Sequence, residues 1–499
     1  MSLSSSLFTG VSGLSNLGNS MNIIGDNISN VNTVGFKASR ATFQDALSQS
    51  IAVASGSSQI GRGMSLANIS QNFAPGSFES SDSSTDLSIA GDGFFVVKDP
   101  LNAESVSYTR AGEFHVDKEG NLVNPGGHIA QGWAVDQDAT TGEAKDVGVI
   151  TDIRFSSLMS EPSETTKMRI ITNLNADADN NSPTLEASWN GDNATPIEGI
   201  DYEYQTTLKA YDSLGESHDI QIYYDPSDTP STWEFIVTCN PEEDNRAGAQ
   251  TAHADPSIVS TGVGMLARGQ IFFDASEGVI ADINLDEFTH ATWDVTVDTN
   301  FAERTEATEG HLTDGYFTVS PDFLGVADPI DASKLMIQLD FGAQCTDPTT
   351  IPPTWTNDSL STTQYAVSSS TNFQSSNGYG VGDLQSIAVE KDGVINGQYS
   401  NGQSSSLFRM ALAKFHSTQG LNKVGGNLYE ETAQSGSAVI NKPGRNGLGT
   451  ILANSLEQSN VDIANEFVKM ITTQRGYQAN SRIITVTDQM LADVIAMKR

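Results

Sequence analysis

Cysteine is almost absent from this 499-residue chain: only Cys239 and Cys345 occur, far apart and in unrelated contexts. That excludes a disulfide framework and any cysteine-based metal site, leaving one bridge or two buried thiols as the options. Basic residues are also scarce, 26 against 62 acidic ones, for a formal net charge of −36. Phosphate binding needs a basic stripe, so no nucleic-acid partner is expected. No run reaches the roughly 18 apolar residues that cross a bilayer, so no membrane insertion is expected either. The opening Met1-Ser-Leu-Ser-Ser-Ser lacks the basic and apolar regions of a Sec signal peptide.

The chemistry of an enzyme is missing in the same way. The seven histidines are scattered, with no H-E-x-x-H, H-x-H or CxxC spacing. His115, His128 and His218 read as surface or core residues. Asp177-Ala-Asp179-Asn-Asn181 lacks the glycine and terminal glutamate of a calcium loop and reads as a solvated turn. Neither G-x-S-x-G nor a Walker motif is present, and Gly378-Tyr-Gly-Val-Gly382 has no strand–turn–helix context. The expectation is therefore no catalytic residues, no metal and no cofactor.

What is present begins at the ends. Leu7, Val11, Leu14, Leu17, Met21, Ile24, Ile28 and Val31 recur at spacings of three and four, the seam of an amphipathic helix that packs on another helix. Between them lie Ser, Asn and Gly, poor helix formers, so this helix should be weak in the isolated chain. The last segment repeats the pattern with Ile463, Phe467, Met470, Tyr477, Ile484, Leu491 and Ile495 on one face. Asp462 can cap its start, and Lys498-Arg499 suit its C-terminal end. Residues 1–40 and 460–499 each carry a net charge of +1, so the middle carries −38. Nearly neutral ends can pack against copies of themselves, whereas an acidic middle repels its neighbours and stays hydrated. Two ordinary core helices of a globular domain would give the same periodicity, but not its confinement to both extreme ends.

The interior reads as β. Gly93-Phe-Phe-Val-Val97, Ile220-Gln-Ile-Tyr-Tyr224 and Trp233-Glu-Phe-Ile-Val237 are short, β-branched or aromatic, and bounded by turn residues. Ala52 to Gly63 and Asn441-Lys-Pro-Gly-Arg-Asn-Gly447 read as linkers, with Gly61, Gly63, Pro443 and Gly444 as hinges. The fold class predicted is α+β, predominantly β, with paired coiled-coil-like terminal helices around nested β domains. Residues 1–32 with 460–499 form the helical part, and 33–70 with 441–459 the connections. Residues 71–152 with 366–440 form an inner β domain, and 153–365 an inserted outer region of one or two domains.

Longer motifs carry a resemblance. Asn22-Ile-Ile-Gly-Asp-Asn-Ile-Ser-Asn-Val-Asn-Thr-Val-Gly-Phe-Lys37, with Asn27, Asn30, Asn32, Gly35 and Phe36, resembles the N-terminal signature of the flagellar rod and hook axial protein family. Ser459-Asn-Val-Asp462 and Met470-Ile-Thr-Thr-Gln-Arg-Gly-Tyr-Gln-Ala-Asn480, with Gln474, Arg475, Tyr477 and Asn480, resemble its C-terminal one. Asp86 to Val97 and Tyr108-Thr-Arg-Ala-Gly-Glu-Phe114 are similar to its inner β domain. Within the family, Gly397-Gln-Tyr-Ser-Asn-Gly-Gln403, Tyr211-Asp-Ser-Leu-Gly-Glu-Ser-His218 and the long insertion resemble hook rather than rod members. Residues 241–365 match only loosely.

The resemblance implies a non-enzymatic structural subunit that polymerises into a flexible curved tube transmitting torque from rod to filament. It implies export, unfolded and without signal cleavage, through the flagellar type III channel to the outside of the cell. The implied partners are further copies of the chain, the distal rod protein, the hook–filament junction protein, the hook cap, the hook-length control protein and the export apparatus. Competing readings are another axial protein (distal rod or junction), an acidic β-rich surface adhesin, and an extracellular hydrolase.

Overall fold

A computed structural model describes residues 3–46, 49–53, 56–101, 105–137, 144–155, 159–246, 249, 260–288, 301–303, 312–324, 335–347 and 353–497. The chain is mostly β, with one long helix at each end: α1 (Leu3–Ser29) and α2 (Ile463–Met497). It divides into two compact units, residues 1–158 with 384–499 and residues 159–383.

In the first unit the two halves of the chain interleave in one sheet. Strands run in the spatial order Val394–Tyr399, Ser404–Met410, Ile129–Gln137, Phe94–Lys98, Val106–Thr109, Leu428–Glu430 and Asn422–Gly425. The continuous apolar run Phe94 to Val97 is explained by burial on both faces. Phe95 and Val97 enter a core with Leu87, Phe114, Ile153 and Leu412. Phe94 and Val96 enter another with Tyr108, Phe415 and Tyr429. A strand covered on both sides loses the polar–apolar alternation of a half-exposed one.

The segments expected as connections are structured parts of this unit. Ser39–Asp45 pairs antiparallel with Met64–Gln71, and Gln49–Val53 with Gly56–Ile60, so the Gly/Ser stretch is a β-hairpin rather than a free linker. Residues 54 and 55 of that stretch lie outside the described residues. Leu87–Ala90 pairs with Thr450–Ala453, and Phe78–Ser80 with Ser455–Glu457. Pro443 is buried against Gly393, and the loop around it is hydrogen-bonded: Gly444 N donates to Gly449 O and Leu448 N to Arg445 O.

The second unit is a sandwich. A meander runs through Tyr204–Tyr211, Ser217–Pro226, Thr232–Thr238, Met265–Phe273, Ile280–Phe288 and Phe301–Glu303. The other sheet is built on Lys167–Asn175, which pairs in parallel with Ile337–Asp340 and Thr363–Tyr365 and antiparallel with Ser370–Ser376. Both sheets feed one core, including Ile170, Leu339, Ile222, Trp233 and Phe235. The meander's other face packs Tyr223, Ile236 and Met265 under Leu185 and Trp189. The boundary expected after residue 365 therefore moves: Ser370–Ser376 belongs with residues 168–173 of the second unit, because a strand follows its ladder partner.

Candidate assembly site

Helices α1 and α2 lie side by side and antiparallel. Position 10 meets 484, 13 meets 480, and 17 meets 476, while Asn27 Nδ2 donates to Glu466 Oε2 at 3.4 Å. Glycines make the approach close: a Cβ at Gly13 would lie 2.8 Å from Asn480 Oδ1, and one at Gly476 would lie 3.2 Å from the Leu17 side chain. Asp462 caps α2, its Oδ1 accepting from Asn465 N at 3.1 Å.

This contact face differs in register from the apolar seam. On α1 it uses Gly10, Gly13, Leu17, Ile24 and Asn27; Ile24 is buried, whereas Val11 is exposed. Leu7, Leu14, Leu17, Met21, Ile28 and Val31 are half-buried, and Val31 lies beyond the end of α1. On α2 the inward side comprises Glu466, Met470, Asn480, Ile484, Thr487 and Leu491, while Ile463, Phe467, Tyr477 and Ile495 face outward. Lys498 and Arg499 lie outside the described residues. The outward surface carries large apolar side chains near both ends of the helix, with polar residues such as Gln474, Arg475 and Gln478 between them. Phe467 is 47% and Val468 61% exposed, and Ile471, Ile483, Val486, Met490 and Val494 are each about half exposed.

The N-terminal motif builds a joint between the helix pair and the β body. Asn27 is buried and locks the returning chain from both atoms, with Oδ1 accepting from Ser39 N and Nδ2 donating to Ser39 O, both at 2.8 Å. Asn30 closes the last turn of α1 through Asp26 O at 2.8 Å and accepts from Thr33 Oγ1. Asn32 is exposed. Gly35 has φ +68°, donates to Glu457 O, and faces backbone so closely that a Cβ would lie 2.6 Å from Ala111 N. Phe36 is buried beneath the Lys423 ammonium, 4.5 Å from its ring centre. On the C-terminal side Asn460 accepts from Ala38 N and donates to Asn72 O and Ala74 O. Gln474 and Arg475 are exposed, and Asn480 seats against Gly13.

Beneath the motif lies a buried ionic cluster that sequence patterns did not single out. Glu457 accepts from Lys37 Nζ at 2.5 Å and Arg110 NH1 at 3.3 Å, with all three side chains 3% exposed or less. Lys37 also donates to Ala74 O, and Glu457 accepts from Gly76 N. Burial pulls the Lys37 ammonium and the Arg110 guanidinium below their ordinary ranges, against the opposing attraction of Glu457. The only signal was the position of Lys37 and Arg110 inside family motifs; their common partner is 420 residues from Lys37.

The proposed hinge residues are packed to different degrees. Gly63, φ +101°, lies against α1 so that a Cβ would collide with Ser12, and Asn16 Nδ2 donates to the adjacent Met64 O. Gly61 stands in open space, and Pro443 is buried. The two hook-like segments are turns. Gly402 N donates to Tyr399 O in one; in the other, Asp212 Oδ1 accepts from Leu214 N and Glu216 N. Cys239 and Cys345 are free and buried, and burial raises both thiols. Among the described residues no group of three or more His, Cys, Asp or Glu could hold a metal, and no helix is long and apolar enough to cross a membrane.

Comparison with known proteins accounts for nearly the whole length. Residues 7–37 match the flagella basal body rod protein family and 88–152 the flagellar hook protein FlgE/F/G D1 domain. Residues 173–379 match the flagellar basal body protein FlaE D2 domain, and 452–497 the flagellar basal body rod FlgEFG protein C-terminal family. The chain is 32% identical to the flagellar hook protein FlgE of Treponema pallidum, covering 99% of each. It is 31% identical to that of Borreliella burgdorferi over 99% of each, and 28% identical to that of Escherichia coli over 98% of each.

Proposed function

The chain belongs to the flagellar hook protein family and is a structural subunit of the hook, and from that premise we propose how it assembles. Copies of the chain join through their terminal helices, α1 and α2 of each copy forming the inner wall of a tube. The residues that build the wall are the expected seam positions left open by the α1–α2 pair, Val11, Ile463, Phe467, Tyr477 and Ile495, together with the exposed Val468 and Ile471 beside them. The second units form the outer layer, sliding over one another as the tube bends. The joint at Asn27, Gly35 and Lys37 holds the helices rigidly to the β body, so bending is accommodated elsewhere. Gly61 keeps the freedom that a hinge needs.

The same reading has the chain leave the cell unfolded through the flagellar export channel, without signal cleavage, and add beneath a cap. Its ends then meet the distal rod protein below and the hook–filament junction protein above. The role is mechanical rather than catalytic.

One observation carries this reading: the apolar surface of α2 that α1 leaves uncovered. Large apolar side chains left exposed along one helix mark an interaction surface, and knobs packed between helices of neighbouring copies would cover them. Val468→Asp with Ile471→Asp tests it. Both side chains are about half exposed or more, so the monomer's circular dichroism and melting should be unchanged while polymerisation is lost. Normal tubes from this variant would sink the assignment.

A further inference from the structure

The second unit holds most of the charge: 37 acidic against 7 basic side chains, −30 of the chain's −36, with 44 of its 225 residues charged. Against that background the run Ser359–Gly382 contains no charged side chain at all over 24 residues. The same run exposes Leu360, Tyr365, Val367, Phe373 and Val381, each close to half or more, with Val367 at 66%.

The fold gathers much of this run in one place. Thr363–Tyr365 and Ser370–Ser376 lie on opposite sides of Lys167–Asn175, and the turn between them is tied down by Asn173 Nδ2 donating to Val367 O at 3.1 Å. The result is a groove of about 640 Å³ lined by Leu360, Tyr365, Val367, Ser370 and Asn372, with Ile171 beneath them. Among the described residues two acidic ones line it, Glu277 and Asp358, and Asp358 is ion-paired with Arg169 at 2.7 Å.

We infer that this charge-poor groove, with the uncharged run Ser359–Gly382 that forms most of it, is the surface through which the second unit docks on the second unit of a neighbouring copy. The inference rests on the polymer reading above and specifies its outer contact. Two bodies of the same high charge repel wherever carboxylates meet within a Debye length, about 8 Å at physiological salt. They can approach closely only where no carboxylate must be dehydrated. A neutral surface rich in Ser, Thr and Asn, with Tyr, Phe and Leu standing out of it, has the composition of an interface with an apolar centre and a hydrated polar surround. A groove that receives a different part of the next copy makes a head-to-tail contact, the kind that propagates along a helical polymer.

The test uses the full chain with Val367→Cys carrying a photo-crosslinker, the native cysteines being buried, and Asp179→Cys on the exposed acidic surface as the control. After polymerisation and illumination, position 367 should give a ladder whose crosslinked peptides map to residues 159–383 of another copy. The unpolymerised chain and the control should give no ladder. Crosslinks confined to the same chain, or leading to the first unit of a neighbour, in tubes that form normally would overturn this inference and leave terminal-helix assembly standing. Absence of polymer from the unsubstituted chain would overturn both. In a second measurement, Leu360→Glu with Val367→Glu should leave monomer melting unchanged and shift tube formation to higher salt. An unchanged salt dependence would contradict the docking surface.

Discussion

Glu457 is the residue on which the joint depends. Its single carboxylate is the shared partner of two cations that the fold has taken out of water, Lys37 from the motif after α1 and Arg110 from the β body. Removing its charge by Glu457→Gln strands both, and a broken buried pair costs about 3–5 kcal/mol. Urea unfolding of the full chain should show a loss of that size. Replacing all three with Lys37→Met, Arg110→Met and Glu457→Gln should recover much of it, because no buried charge is then left unpaired and the 457 amide oxygen can still accept from Gly76 N.

Buried phenols set a second dependence at this scale. Burial pushes Tyr108, Tyr223 and Tyr429 up to about 12, against about 10 in an unfolded chain. The folded state therefore keeps protons that the unfolded state releases. Their contribution is complete below about pH 10 and is lost as pH rises towards 12. The part of the phenolate absorbance that is lost on Tyr108→Phe, Tyr223→Phe and Tyr429→Phe should rise together with unfolding in that window. Early ionisation of these three phenols without unfolding would contradict the burial argument.

At the scale of elements, the helix pair is held by small and polar residues as much as by apolar ones. Gly10, Gly13 and Gly476 let the backbones approach, and Asn27, Glu466 and Asn480 fill the gap with hydrogen bonds and contacts. Gly13→Leu places a branched side chain where Asn480 already lies, and such overpacking costs about 1–3 kcal/mol. Loss of far-UV helical signal at lower temperature should follow, with the melting of the two β cores unchanged. A single unaltered transition would show that the helix contact contributes little.

This element also shows where reading residues in order succeeds and fails. Two terminal helices, the Asp462 cap and strands such as Phe94 to Val97 were evident because each is a local pattern. The register of the helix contact was not, since an apolar periodicity points to the strongest seam, and the glycines and asparagines of α1 read only as poor helix formers. The seam positions that the intramolecular contact leaves outward, Phe467 and Tyr477 among them, were grouped with inward ones such as Ile484 because periodicity alone cannot separate two partners of one helix.

At the scale of the molecule, what was hidden is long-range. The Lys37–Glu457 contact and the pairing of Ser370–Ser376 with Met168–Asn173 join residues about 200 to 420 positions apart. No local signal announces such partners. Composition did show nearly neutral ends and an acidic middle, and most of that acidity falls in the second unit, residues 159–383. On the assembly proposed above, such a chain associates firmly at one end of its charge distribution and only through neutral surface at the other.

The most direct measurement of the central claim is cryo-electron microscopy of tubes grown from the purified full chain. The account predicts α1 and α2 of every copy along the lumen, with Phe467, Val468 and Ile471 buried between neighbours and residues 159–383 outermost. Tubes in which the α2 surface stays exposed to solvent, or which grow equally well from a chain lacking residues 1–32 and 460–499, would contradict it.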